Sequence, residues 1–229
     1  MGPRRVLVVC GIAALWPLAA CAGYTPTPTA DTAALTELAS ATPFPEAEPS
    51  ASGAARKDSE PPREEETGTW ETTWGPLSAL DRDLIRKVRL AGLWEMPMAQ
   101  DAAQRATSAK VREISETIAS QHHTLDERVR EVASKLEVTL PVKPTEQQQR
   151  WMSDIAGSTG SSYDATYVKW LRLAHGQVFG LIGKVRGSTQ NTLVRRFAEQ
   201  CNEAVLNHQR LLESTGLAGP EAFPDPPEV

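Results

Sequence analysis

Ser108 to Leu136 reads SAKVREISETIASQHHTLDERVREVASKL. Val111, Ile114, Ile118, Leu125, Val129, Val132 and Leu136 fall on one face of a helix with the α-helical period. Ser108 is a favoured capping residue, and the pattern stops before Thr139-Leu140-Pro141. One position breaks the apolar face. His122 stands where the pattern calls for a hydrocarbon side chain.

The same reading extends in both directions. Upstream, Ser78-Ala79-Leu80-Asp81 predicts a capped helix start. Leu84, Val88, Ala91, Glu95, Met98 and Ala102 continue that helix to about Ala106, with a kink expected at Pro97. Downstream, Thr145 opens a short helix through Ile155, closed by Gly157-Ser158-Thr159-Gly160. A third long helix starts at Ser161 or Ser162 and carries Asp164, Val168, Leu171, His175, Val178 and Ile182 to a turn at Gly187-Ser188-Thr189. The last carries Val194, Phe197, Cys201, Val205, His208 and Leu212 and closes at Gly216. No segment alternates with period two. The expected fold is all-α, an up-down four-helix bundle with a short extra helix in the connection between the second and third long helices.

The flanking regions differ in kind. Residues 1–20 combine Arg4 and Arg5 with an uncharged run from Val6 to Ala20, too short to span a bilayer. Leu18-Ala19-Ala20-Cys21 resembles a bacterial lipobox, which implies cleavage before Cys21, diacylation of its thiol and a membrane anchor on the extracytoplasmic side. Cleavage and lipidation leave Cys201 as the only free thiol, so no internal disulfide is expected. Residues 22–74 hold three basic against ten acidic residues and seven prolines, the composition of a disordered tether with a mean reach of roughly 40 Å. Residues 75–217 form the expected domain, and 218–229, rich in proline, a disordered tail. From Gly75 onward basic and acidic residues balance, and the chain's formal charge of −5 argues against nucleic acid as a partner.

Each long helix places an ionisable group on its apolar face: Glu95, His122, Asp164 with His175, and His208. Buried ionisable groups are costly unless paired or coordinated, and bundle cores are where carboxylates and imidazoles from facing helices hold metals. With alternating helix directions and 1.5 Å per residue, Glu95, His122 and His175 share one layer within about 5 Å, and His208 lies roughly 6–9 Å lower. Asp164 then falls near His208 and is expected to orient it. Cys201 matches the depth of Glu95 and His175, though a buried thiol on a core face is usually inert. Two readings stand beside each other: a metal site, and a satisfied polar network that sets helix register. The Glu-x-x-His pairs of di-iron bundles are absent.

These residues carry a resemblance. Gly92-Leu93-Trp94-Glu95, His122 nineteen residues before Pro141, Tyr163-Asp164-Ala165-Thr166-Tyr167 followed by His175, and the closing His208 occur in this order. Over residues 80–217 the chain resembles a ferritin-like family of exported bacterial proteins of unknown function, often labelled predicted outer-membrane proteins. The resemblance implies a ferritin-like bundle and supplies no activity. It departs at Pro97 and at Gln121, where an acidic residue is usual. The sequence thus points to a lipid-anchored, non-catalytic cell-envelope interaction or stress-related module with an unknown envelope partner. A transition metal (Fe, Mn, Zn or Cu) would sit on Glu95, His122, His175 and His208, with Asp164 and Tyr167 behind them. The rival readings are a metal-dependent redox protein acting on oxygen or peroxide, and a bundle that takes an amphipathic helix or apolar ligand into its core.

Overall fold

The computed structural model describes residues 68–226. The expected export segment, Cys21 and the expected tether up to residue 67 lie outside the described residues, as do residues 227–229. Among the described residues the chain forms five α-helices and no strand: α1 (Ala79–Arg105), α2 (Ala109–Lys135), α3 (Glu146–Gly157), α4 (Gly160–Ser188) and α5 (Thr192–Glu213). None of these helices is long and apolar enough to cross a membrane.

Local chemistry sets the boundaries. Ser78 and Asp81 form a reciprocal capping box at α1, Ser108 caps α2, and Thr145 with Gln148 repeats the box at α3. Asn191 Oδ1 accepts from the backbone N–H groups of Leu193 and Val194 and so starts α5. α1 runs unbroken through Pro97, which lies on the exposed side of the helix. α4 begins earlier than the serines predict, at Gly160 with φ +58, and passes through Gly187 to Ser188.

Two apolar clusters fill the interior. One joins Leu84, Val88, Leu125, Val129, Ile182, Phe197, Cys201 and Val205. The other joins Trp94, Ala99, Ala102, Ile114, Ile118, Tyr167, Val168, Leu171 and Leu212. α1 and α5 pass from the first cluster to the second, whereas α2 and α4 pass from the second to the first. Helix directions therefore do not alternate as expected. α2 and α4 run the same way, and the segment bearing α3 carries the chain back between them. α1 packs on α2 and α4, α5 packs on α2 and α4, and α3 packs on α1 and α4.

Both ends of the domain extend beyond the expected limits. Residues 68–74, expected to belong to the tether, pack on the helices. Trp70 and Leu77 exchange backbone hydrogen bonds of 2.9 and 2.8 Å, and the Arg82 guanidinium lies 4.2 Å from the Trp70 ring centre. Asn191 donates to Thr72 Oγ1 and to the Gly75 carbonyl, tying this segment to the α4–α5 turn. Gly75 has φ +99, and a Cβ there would meet the Gln190 carbonyl at 2.8 Å, so glycine is required. At the other end, the tail expected to be disordered forms a 3₁₀ turn at Pro220–Ala222 with Ala222 fully buried. Phe223 stacks on Arg172, 4.4 Å from its guanidinium carbon. Aromatic and proline contacts outweigh composition at both places.

Candidate metal centre

The polar residues on the helix faces separate the two apolar clusters. Glu95 lies between Val88 and Ala99 on α1, His122 between Ile118 and Leu125 on α2, His175 between Leu171 and Ile182 on α4, and His208 between Val205 and Leu212 on α5. Each of the four long helices delivers one side chain to the layer between the clusters. All four are buried, with relative exposures of 2, 4, 1 and 0%.

The groups meet closely. Glu95 Oε2 stands 2.8 Å from His122 Nε2 and 3.4 Å from His175 Nε2. His175 Nε2 stands 2.9 Å from His208 Nδ1. One ligand atom from each of the three histidines falls within 4.8 Å of the others. The Leu171 carbonyl, 2.7 Å from His175 Nδ1, accepts that proton and so assigns the tautomer that leaves His175 Nε2 with its lone pair. His208 Nδ1 donates to it, which frees the lone pair of His208 Nε2. Glu95 Oε2, His122 Nε2 and His208 Nε2 are all buried without a well-formed hydrogen bond. The contact between Glu95 and His122 is therefore close but not aligned along an N–H direction.

Electrostatics follow from the burial. Removal from water pushes the His175 and His208 pKa values down, His208 strongly, helped there by the neighbouring imidazoles of His122 and His175. Burial alone would raise Glu95, but the imidazoles of His175 and His122 outweigh it and hold the carboxyl below its usual range. The layer thus holds a carboxylate among imidazoles, of which burial inclines His175 and His208 to the neutral, lone-pair form. Such an anion in a dry interior is costly without a cation beside it.

The supporting residues differ in part from those the sequence named. Asp164 does not orient His208. Its carboxylate accepts from Thr107 N, Thr107 Oγ1 and Ser108 N at 2.6 to 2.9 Å and closes the α1–α2 turn. It sits near the start of α4, so reversing that helix carries it to the opposite end of the domain. Tyr167 is buried beside the layer, its Oη 3.1 Å from Ser115 Oγ, and burial pushes its phenol pKa up. Cys201 lies within the first apolar cluster, where burial pushes the thiol pKa up, and is not among the gathered ligands. Sequence reasoning missed Gln209, which donates to the His175 carbonyl at 3.1 Å, and Arg172, a buried cation that donates to Glu213 at 2.7 Å. Adjacency to His208 and to His175 was the only signal for either.

A family profile described as a domain of unknown function, DUF4142, matches residues 71–214. The chain belongs to this family. All four residues of the layer fall within the DUF4142 domain, whereas residues 1–70, where the export segment and tether are expected, precede it. No curated protein and no solved structure shows detectable similarity to this DUF4142 chain.

Proposed function

We propose that this protein is an exported, lipid-anchored member of the family whose helices form a ferritin-like four-helix bundle with one long crossover. Its core holds a single transition-metal ion between Glu95, His122, His175 and His208. The observation that carries this reading is the spacing of the donors. One nitrogen from each of the three histidines falls within 4.8 Å of the others, and Glu95 Oε2 stands 2.8 Å from His122 Nε2 and 3.4 Å from His175 Nε2, so donors from four helices face one small volume. A register network would instead align each N–H with its acceptor, and three buried atoms here lack that alignment.

The donor set narrows the ion. Imidazole suits Zn, Cu, Fe or Ni, and one carboxylate with three imidazoles supplies no bridging pair for a second metal. When bound, the ion would supply one-electron chemistry if it is copper or iron, and a fixed charge if it is zinc. The chain's own residues hold the ion in a dry layer: Leu171 fixes the His175 tautomer, and Gln209 steadies the backbone at His175. The membrane anchor rests on Leu18-Ala19-Ala20-Cys21 and the charged start that precedes it. It places the bundle on the extracytoplasmic side, as an envelope module.

Elemental analysis of the full chain purified from its native envelope tests the metal. The expected result is one transition-metal ion per chain, lost in His122→Ala and in His175→Ala. A chain that carries no metal and takes up neither copper nor zinc in titration overturns the reading. For the anchor, Cys21→Ser should move the protein from the membrane to the soluble fraction.

A further inference from the structure

We infer that Trp94, Trp151 and Trp170 form an electron path from the core layer to the surface, where Trp170 passes the electron to a diffusible one-electron oxidant. The inference rests on the metal reading above. No residue of the layer is more than 4% exposed, so no external carrier touches it and an electron must cross protein to reach it. Trp94 directly precedes Glu95 and packs in the cluster that contains Ile118 and Leu171, each one helical turn from His122 and His175. From there the indoles are in series. The Trp94 and Trp151 ring centres are 5.4 Å apart, and Trp151 stacks on Trp170 at 5.4 Å with planes 20° apart. Trp170 is partly exposed, and its Nε1 donates to Asp154 Oδ2 at 2.5 Å.

Packing alone does not account for the inner ring. Trp94 is fully buried and its Nε1–H has no acceptor, a cost that phenylalanine or leucine would avoid at the same position. What indole adds over those side chains is a readily oxidised π-system. Trp170 gives one electron to the external acceptor, Trp151 refills Trp170, Trp94 refills Trp151, and the reduced metal refills Trp94. The metal ends one electron oxidised and the acceptor one electron reduced. While Trp170 is oxidised, its Nε1 proton moves along the hydrogen bond to Asp154, and it returns when the electron arrives.

The test uses the full chain loaded with copper, reduced with ascorbate, freed of excess reductant and mixed with hexachloroiridate(IV) in a stopped-flow instrument. Trp151→Phe keeps the aromatic packing and should slow oxidation of the copper by about tenfold or more, a barrier change of about 1.4 kcal/mol. Trp151→Tyr should restore part of the rate. Trp74→Phe, which alters an indole packed on the other cluster, should leave it unchanged. Matching copper EPR and circular dichroism spectra establish that the variants retain site and fold. If Trp151→Phe does not fold, Trp170→Phe at the surface should give the same slowing. Equal rates in the wild type and whichever of these variants folds overturn the path while leaving the metal site intact. A chain that takes up no copper overturns the path, and one that takes up neither copper nor zinc overturns the metal reading as well.

Discussion

Glu95, His175 and His208 respond to acid in one direction. The folded pKa values of His175 and His208 lie below the ordinary 6.5, so the unfolded chain binds more protons as the pH falls through that value. Glu95 is also depressed, and its contribution, present above its ordinary 4.5, is lost as the pH falls through its lower folded value. The metal-free protein should therefore lose stability from about pH 7 downward, at up to about 1.4 kcal/mol per pH unit for each group that titrates. Thermal melts across this range read the slope, and His208→Gln should flatten it. Glu95→Gln removes the only carboxylate in the layer and should weaken metal binding by more than the roughly 10–100-fold typical of losing an outer hydrogen-bond partner. Isothermal titration with copper or zinc measures this. Glu95, His122 and His175 were legible as layer-mates from spacing alone because each lies well inside its helix. His175 is near the middle of α4, so its depth is almost the same whichever way that helix runs.

Helix ends behave differently. Asp164 lies in the first turns of α4, where a reversal of direction moves a residue across the length of the domain. It serves the α1–α2 turn, with three donors converging on one carboxylate. Asp164→Ala should cost about 1–3 kcal/mol by leaving those donors unpaired, with no change in metal affinity. Denaturant unfolding and metal titration of the same variant separate the two effects. Between α1 and α2, Arg89 and Asp126 form a buried ion pair, their side chains 10 and 9% exposed, and Arg130 joins from the next turn at 2.8 Å. Asp126→Ala strands the Arg89 charge and should destabilise by about 3 kcal/mol or more in thermal unfolding. A paired replacement of Arg89 and Asp126 by apolar residues should cost far less. Neither pairing was read from the sequence, because both partners sit on helix faces that look polar and solvated until a second helix covers them.

At the scale of the molecule, one layer joins all four long helices, so occupancy of the layer should stabilise the domain as a whole. With free ion at about a hundred times the dissociation constant, stability should rise by about 2.7 kcal/mol, seen as a higher melting temperature that EDTA reverses. The C-terminal turn is a separate matter. Pro224 lies so close to Gly176 that an added Cβ would meet its ring at 2.6 Å. Gly176→Ala should therefore displace the segment after Gly219 and open it to limited proteolysis, even though alanine favours the helix itself by up to about 1 kcal/mol.

The amino-acid sequence by itself determined the helices, the caps at Ser78, Ser108 and Thr145, and the polar residue on each buried face. These depend on neighbours three and four positions away and on local capping chemistry, which a linear reading contains. Only the tertiary structure decided the direction of α4 and α5, the contact between His175 and His208, the partners of Asp164 and the docking of residues 68–74 and 220–224. Those depend on which ends of separate helices meet. A run of apolar positions looks the same read toward either end, so periodicity places a side chain on a face and leaves the sense of the helix to packing.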